Sequence, residues 1–306
     1  MPSVIVNGAS GWLGTATLRA IERIEDSDHP WERTLLGSHP RTHLFEDFGS
    51  YEILDSQVKT LEVPSQDYFV NLAFKTRDYI SKLGESEYTR INIRTIKNSI
   101  ELLKLLKPKS IILVSSGVVT KHQQSEGKLY DDAYTRLKIY EEEEFERVSK
   151  EINANLIILR MWAASGADMT EPNKYGIGNL LIQSKISSSV VIESPRPVFR
   201  RYADASQQLE ICIRLATQGV SETLNSGGTL IEIRDLASII VSKFSPGKNL
   251  IHAIDGKTYP DDYFWPGQAF EEHAKNVNVD LYDVEKQVEL TSLSVDRFLR
   301  KQSISG

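Results

Sequence analysis

The chain opens on a continuous apolar run, Val4-Ile5-Val6, which gives way at Asn7-Gly8 to a segment with helical spacing. Through the first two thirds of the sequence, short β-branched runs alternate with longer amphipathic stretches. Continuous apolar strands separated by helices mark a parallel sheet covered on both faces. The pattern predicts strands over Ser3–Asn7, Thr34–Ser38, Val58–Glu62, Tyr68–Leu72, Ser110–Ser115 and Asn155–Arg160, with a later one over Glu222–Asn225. Helices are expected over Thr15–Ile24, Glu87–Leu106, Ala133–Glu151, Ile177–Ser188, Ala205–Thr217 and Ile233–Phe244.

Two of these helices are sharply marked. Ile93, Ile96, Ile100, Leu103 and Leu106 recur at three-to-four spacing, and Pro108 ends the pattern. The helix from Ala133 carries Leu137, Ile139, Tyr140, Phe145 and Val148 among many acids, and the run Glu141–Glu144 reads as a solvated face. From about Ser165 the sequence is less regular and richer in Pro and Gly, with only short strands. That composition suits a smaller lobe that shapes a pocket. The expected division is an α/β domain over 1–165, joined by about 200–228, and a lobe over 166–306.

Composition narrows the function classes. A chain of 306 residues with 40% hydrophobic and 25% charged positions is large enough for a substantial core. The net charge of -6 gives no basic footprint for nucleic acid. No apolar stretch approaches the roughly 20 residues that cross a bilayer, and the N-terminus enters a strand without room for a signal peptide. The single cysteine, Cys212, excludes an internal disulfide framework and reads as a core residue. These features point to a cytoplasmic protein. The six histidines, among them His39 and His252, show no metal-ligand spacing, so no metal is expected.

Three features carry chemistry when taken together. The first is Gly8-Ala9-Ser10-Gly11-Trp12-Leu13-Gly14, between the first strand and the first helix. Glycine lets a diphosphate approach the backbone, and the N–H groups at a helix N-terminus favour an anion. In this context Gly8, Ser10, Gly11, Trp12, Leu13 and Gly14 point to a bound dinucleotide. The spacing is not that of a P-loop and no Gly-Lys-Ser/Thr follows it, which argues against a nucleoside triphosphatase. At the end of the second strand, where an acid would bind ribose hydroxyls, stands Ser38-His39-Pro40-Arg41. Ser38 offers a hydrogen bond and Arg41 a bidentate phosphate contact, which favours NADP over NAD.

The second and third features are Ser115-Ser116, at a strand end, and Tyr134-Thr-Arg-Leu-Lys138, 18 residues after Ser116. Tyr134 and Lys138, at i and i+4, fall on one helix face. A phenol alone is a poor base near neutrality, and an adjacent ammonium favours the phenolate. Tyr134 then exchanges a proton with a substrate oxygen that Ser116, or else Ser115, hydrogen-bonds, while Lys138 also holds the cofactor ribose.

Over most of its length the chain resembles the extended branch of the short-chain dehydrogenase/reductase superfamily, the NAD(P)-dependent epimerase/dehydratase family. The glycine turn, the serines and Tyr134–Lys138 match that family's cofactor and catalytic positions. Asn71-Leu72-Ala73 looks like its fourth-strand motif beside the cofactor, and Asn92-Ile93-Arg94-Thr95 resembles its Asn-x-x-Thr helix. Leu224-Asn225-Ser226-Gly227-Gly228 and Ile233-Arg234-Asp235-Leu236-Ala237 are similar to its late Asn-x-Gly-Gly and helix pattern. The resemblance implies a Rossmann-type doubly wound parallel sheet with a C-terminal substrate-binding lobe, and Leu72 and Ala73 as further cofactor contacts. It implies a nucleotide-diphosphate sugar as the small-molecule substrate, with Arg200, in Arg200-Arg201-Tyr202, as the diphosphate contact. Asn179 and Lys174 lie in the segment that covers the sugar nucleotide, and dimerisation through two helices is common in the family.

Departures from the family pattern sharpen the expectation. Gly117-Val118 stands where 4,6-dehydratases carry Asp-Glu, which argues against that reaction. Val119-Thr120-Lys121 and Ala163-Ala164-Ser165-Gly166 replace two further family segments, the second removing an asparagine from beside the nicotinamide. The leading expectation is an NADP(H)-dependent reductase of a keto group on a nucleotide sugar. The alternatives are a 4-epimerase with retained NAD, a reductase or lactone-forming dehydrogenase of another small carbonyl compound, and a non-catalytic cofactor-binding protein. The last is disfavoured because both Tyr134 and Lys138 are present.

Overall fold

The computed structural model describes residues 1–25, 28–56, 66–254 and 258–305. From the N-terminus the elements are β1 (Ser3–Asn7), α1 (Trp12–Ile24), β2 (Glu32–Gly37), β3 (Arg41–Phe45), β4 (Gly49–Asp55) and β5 (Tyr68–Asn71). They continue with α2 (Tyr79–Leu83), α3 (Glu85–Leu106), β6 (Ser110–Ser116), α4 (Gly117–Gln124), α5 (Ala133–Ile152) and β7 (Asn155–Met161). Next come β8 (Ala163–Ser165), α6 (Gly176–Ile186), β9 (Ser189–Ile192), β10 (Val198–Asp204), α7 (Ala205–Thr217) and β11 (Glu222–Asn225). The chain ends with β12 (Thr229–Glu232), α8 (Ile233–Phe244), β13 (Asn249–His252), β14 (Asp261–Asp262), α9 (Gln268–Asn276) and α10 (Val284–Ser305). It forms two compact units, Met1–Met161 with Leu209–Asn225, and Trp162–Gln208 with the chain from Ser226 onward.

In the first unit, eight strands among the described residues form one sheet in the order β11-β7-β6-β5-β1-β2-β4-β3. All neighbours run parallel except the edge pair β3–β4. β1 is buried at every position, as its apolar run requires, and pairs with β2 and β5, Val4 lying opposite Arg33 and Tyr68. The chain winds outward from β1 in both directions. The carboxyl ends of β1, β2 and β5 therefore part at a switch point, the usual place for a ligand in an open α/β sheet. Helix α3 buries Ile96, Ile100, Leu103 and Leu106 against Phe69, Ile111 and Leu113, and α5 adds Phe145 and Val148. Each such side chain stabilises the fold by about 1.5–3 kcal/mol relative to exposure.

One feature departs from the hydrophobic pattern, and one expectation is left untested. Residues 41–55 form a β-hairpin on the sheet edge, where β3 is mostly exposed and needs no apolar run. It is held instead by cross-strand contacts such as Phe45 edge-on to Tyr51 at 5.8 Å. The strand expected over Val58–Glu62 lies outside the described residues.

The second unit holds β12 antiparallel to β10, with β14 and β8 parallel to β10, and a separate parallel pair of β9 and β13. It also contains the 22-residue helix α10, absent from the sequence expectations. Its inward face is largely polar: Gln287, Thr291, Ser292 and Ser294 are buried beside Val288 and Val295. Thr291 Oγ1 accepts from Gly166 N at 3.0 Å and Ser294 Oγ donates to Gly166 O at 2.8 Å. A face that buries hydroxyls and amides gives no apolar stripe to read.

Candidate active site

The three glycines after β1 do different work. Gly8 has φ of +87°, and a Cβ there would lie 2.8 Å from Ala73 N. Its amide and that of Ala9 both donate to Leu36 O at 3.0 Å, tying the turn to β2. Gly11 is the N-cap of α1 and its face is open: an added Cβ would meet only Gly8 O, at 3.8 Å. At Gly14 a Cβ would sit 1.8 Å from Ala9 O, so α1 approaches the turn as only glycine permits. A tight turn, an open face over a helix N-terminus and a close helix–strand contact are the three glycine roles of a dinucleotide turn. Ser10 is half-buried in the turn, and Trp12 and Leu13 open the helix at the positive end of its dipole.

Beside the turn lies a cavity of about 210 Å³, lined by Asn7, Gly8, Gly37, Ser38, Ser56 and Ala73 from the strand ends, with the rest of its wall from α3. The α3 side supplies Arg90, Ile91, Arg94, Thr95, Asn98 and Ser99. Asn7 Nδ2 donates to Asn71 Oδ1 at 2.9 Å and to Ser99 Oγ at 3.0 Å. Asn7 Oδ1 is buried without a hydrogen-bond partner among the described residues. An orphan acceptor next to an open helix N-terminus fits a nucleotide, which brings hydroxyl donors and a diphosphate. Leu72 donates its amide to Asn7 O at 2.8 Å. Arg41 does not join this group. It opens the edge strand β3, exposed, with Nη1 on the carbonyl of His39 at 3.4 Å.

The two strand-end serines of β6 are committed differently. Ser115 is buried and donates to Glu142. Ser116 is half-buried and N-caps α4, accepting from Val118 N at a long 3.4 Å. Tyr134 stands in the first turn of α5, which Asp132 caps by accepting from Thr135 N at 2.9 Å. Tyr134 and Lys138 meet on one side chain, Phe74. The two aromatic rings are edge-on at 5.8 Å, and Lys138 Nζ lies 3.9 Å from the Phe74 centroid. Arg77 places its guanidinium 5.0 Å from the Tyr134 ring and pairs with Asp132 at 2.9 Å. The loop that carries Phe74 is held by α3: Asn92 Oδ1 accepts from Lys75 N, and Tyr88 donates to Lys75 O, each at 2.8 Å. Burial keeps the Tyr88 phenol protonated well above its ordinary range.

Lys138 is buried and donates to Val114 O at 3.0 Å and to Glu141 Oε2 at 2.8 Å. Glu141 also accepts from Asn71 Nδ2 at 3.2 Å. Burial raises the Glu141 pKa against the opposing pull of Lys138. Glu142 is buried as well and pairs with Arg160 at 2.6 Å. The reading of Glu141–Glu144 as a solvated face is thus corrected for its first two residues, while Glu143 is exposed and Glu144 intermediate. Helical periodicity puts 138, 141, 142 and 145 on the inward face of α5, where an acid must be paired. Their partners were invisible in the acidic run itself.

In the second unit, Asn179 is exposed on α6 and its Oδ1 accepts from Gln183 Nε2 at 2.6 Å. Lys174 pairs with Glu171 at 2.6 Å. Arg200 projects from β10 onto Asp261, with two contacts of 3.0 Å, and lies 5.5 Å from the Tyr263 ring centroid. Tyr263 in turn packs against Trp162 at 4.9 Å. Sequence reasoning missed Phe74, Arg77, Arg90 and Glu141. Only Arg90 left a signal, an i,i+4 repeat with Arg94 on a helix that was otherwise read for its apolar face.

No protein-family model matches the chain, and no curated protein matches it in sequence. Solved structures match nearly its whole length. A UDP-N-acetylglucosamine 4-epimerase from Bacillus cereus is 18% identical, with 98% of this chain and 97% of that one covered and a TM-score of 0.72. RMD from Pseudomonas aeruginosa, complexed with NADPH, is 16% identical over 98% and 100%, at 0.72. A UDP-glucose 4-epimerase from Brucella ovis in complex with NAD is 15% identical over 97% and 98%, at 0.74. Identities this low carry the fold rather than the substrate. The chain therefore has the fold of the extended short-chain dehydrogenases/reductases, the NAD(P)-dependent epimerases and dehydratases.

Proposed function

We propose that this protein is an NADP(H)-dependent oxidoreductase that reduces a keto group of a nucleotide-diphosphate sugar. One observation carries the reading. Ala73 lines the cavity beside the glycine turn, and the next residue, Phe74, touches both Tyr134 and Lys138. The nucleotide cradle and the acid/base pair are thus joined by consecutive residues of one loop.

The nicotinamide, when bound, supplies the hydride. The chain's own residues bind and move the proton. Gly8, Gly11 and the first turn of α1 hold the diphosphate, with Ser38 and Ala73 along the adenosine half. Ser116 donates a hydrogen bond to the carbonyl oxygen, and Tyr134 gives that oxygen its proton. Lys138 orients the ribose side of the site from its anchorage on Glu141 and Val114 O. Arg200 is the contact for the substrate diphosphate, replacing Asp261 as its partner. Gly117-Val118 stands where a 4,6-dehydratase would carry Asp-Glu, which argues against that reaction.

Incubation of the purified protein with NADPH and a panel of nucleotide-diphosphate keto sugars, followed at the nicotinamide absorbance, tests this. Wild type should turn over at least one, and Tyr134→Phe should lower kcat by roughly 10²–10⁴-fold. Full activity in Tyr134→Phe rejects the mechanism. Tightly retained NAD with sugar inversion and no net consumption of NADPH replaces the reductase by a 4-epimerase.

A further inference from the structure

The cavity beside the glycine turn is walled on one side by α3, and that wall is cationic. Arg90 and Arg94 stand one helical turn apart, at i and i+4, so both lie on one face of the helix. Both line the cavity together with Ser38, from the end of β2, and Ser56, just beyond β4. Among the described residues, no carboxylate lines this cavity. Two arginines and two serines lining one small space offer the donor set of a phosphate monoester, since guanidinium pairs with phosphate through two parallel hydrogen bonds. A ribose with free hydroxyls calls instead for an acceptor such as a carboxylate at the end of the second strand.

We propose that Arg90 and Arg94 of α3 form the specificity site for a 2′-phosphate on the adenosine ribose, with Ser38 and Ser56 completing the cradle. This rests on the dinucleotide reading above and assigns the selectivity within it to the helix rather than to Arg41. Arg41 belongs to the edge hairpin, with its guanidinium on the His39 carbonyl. Arg90 now forks onto Glu87 at 2.6 and 2.7 Å. Both partners of that pair are solvent-exposed, so the contact is weak and exchangeable for a phosphate.

Calorimetric titration of the full chain with 2′,5′-ADP and with 5′-ADP, in low and moderate salt, tests the assignment without any need for turnover. Wild type should bind 2′,5′-ADP more tightly, and salt should weaken that preference. Arg94→Ala and Arg90→Ala should each weaken 2′,5′-ADP binding by roughly 10-fold to 100-fold and leave 5′-ADP affinity within about two-fold. Arg94→Lys should recover only part of the loss, because an ammonium lacks the planar fork. Both arginines are exposed, and circular dichroism of each variant verifies that the fold is intact. Equal binding of the two nucleotides by wild type overturns the proposal. So does equal loss of both in the variants, which would mark the arginines as adenine-stacking groups, or loss of the preference in Arg41→Ala alone. Absence of binding by either nucleotide would remove the dinucleotide reading as well, whereas 5′-ADP binding without preference would remove only the phosphate site.

Discussion

Lys138 Nζ lies 2.8 Å from Glu141 Oε2, and both side chains are buried. A lysine in a catalytic Tyr-x-x-x-Lys is expected to lend its charge to the tyrosine. Here that charge is shared with a carboxylate one turn along the same helix. The pair is a structural commitment, because an unpaired charge at this depth costs several kcal/mol.

Removing one member should therefore cost more than removing both. Lys138→Met should lose about 3–5 kcal/mol of stability at neutral pH, and Lys138→Met combined with Glu141→Gln should regain most of it. The deficit has a definite pH dependence. Burial already raises the Glu141 pKa, and Lys138 is the chief influence lowering it, so the lysine's loss raises it further. A carboxyl whose folded pKa lies above its unfolded value favours the fold when protonated. Its cost is complete above the folded pKa and disappears as pH falls toward the unfolded value near 4.3. Urea titrations of Lys138→Met should show its deficit relative to wild type shrinking on acidification. A deficit that grows on acidification refutes this account.

The glycines of the turn should separate stability from binding. In Gly14→Ala the new methyl meets the Ala9 carbonyl, a backbone atom that cannot swing away, and a loss of roughly 3 kcal/mol follows. In Gly11→Ala the methyl enters open space and the backbone angles suit any residue. Its melting temperature should stay close to wild type, within about 1 kcal/mol of stability, while dinucleotide affinity falls. Calorimetry and thermal unfolding on the two proteins read the contrast directly.

Adjacent serines make an equally sharp pair. Ser115 satisfies the buried Glu142 that also holds Arg160, so Ser115→Ala should lower stability by about 1–3 kcal/mol. Turnover per folded molecule should be largely kept. Ser116→Ala gives up only a long capping bond, and should keep its stability while kcat falls by roughly 10²-fold. The reverse pattern would move the substrate contact to Ser115.

Arg200 pairs with Asp261 and is the residue proposed to contact a substrate diphosphate. Arg200→Ala should raise KM for a nucleotide sugar by roughly 10-fold to 100-fold with a smaller change in kcat. An unchanged KM for every accepted substrate would remove the sugar-nucleotide assignment.

The sequence by itself located six of the eight strands that form the main sheet among the described residues, and the position of the glycine turn. Val4-Ile5-Val6 is apolar on every residue, so it had to be a central strand, and Gly8, Gly11 and Gly14 follow at the point where strand becomes helix. Such features are local: period, run length and turn chemistry are set by neighbours in the chain. The tertiary structure alone decided which polar groups found partners. Glu141 and Glu142 looked like surface acids because Asn71 and Arg160 are distant in sequence. Nothing local to Arg41 reveals that it opens an edge hairpin. Arg90 and Arg94 came to the cavity only through the packing of α3 on the sheet, and α10 hid because its buried face is polar. Apolar burial repeats with the geometry of its own element, whereas contacts such as Glu142 with Arg160 and Glu141 with Asn71 depend on elements that fold against one another, and only three dimensions bring those together.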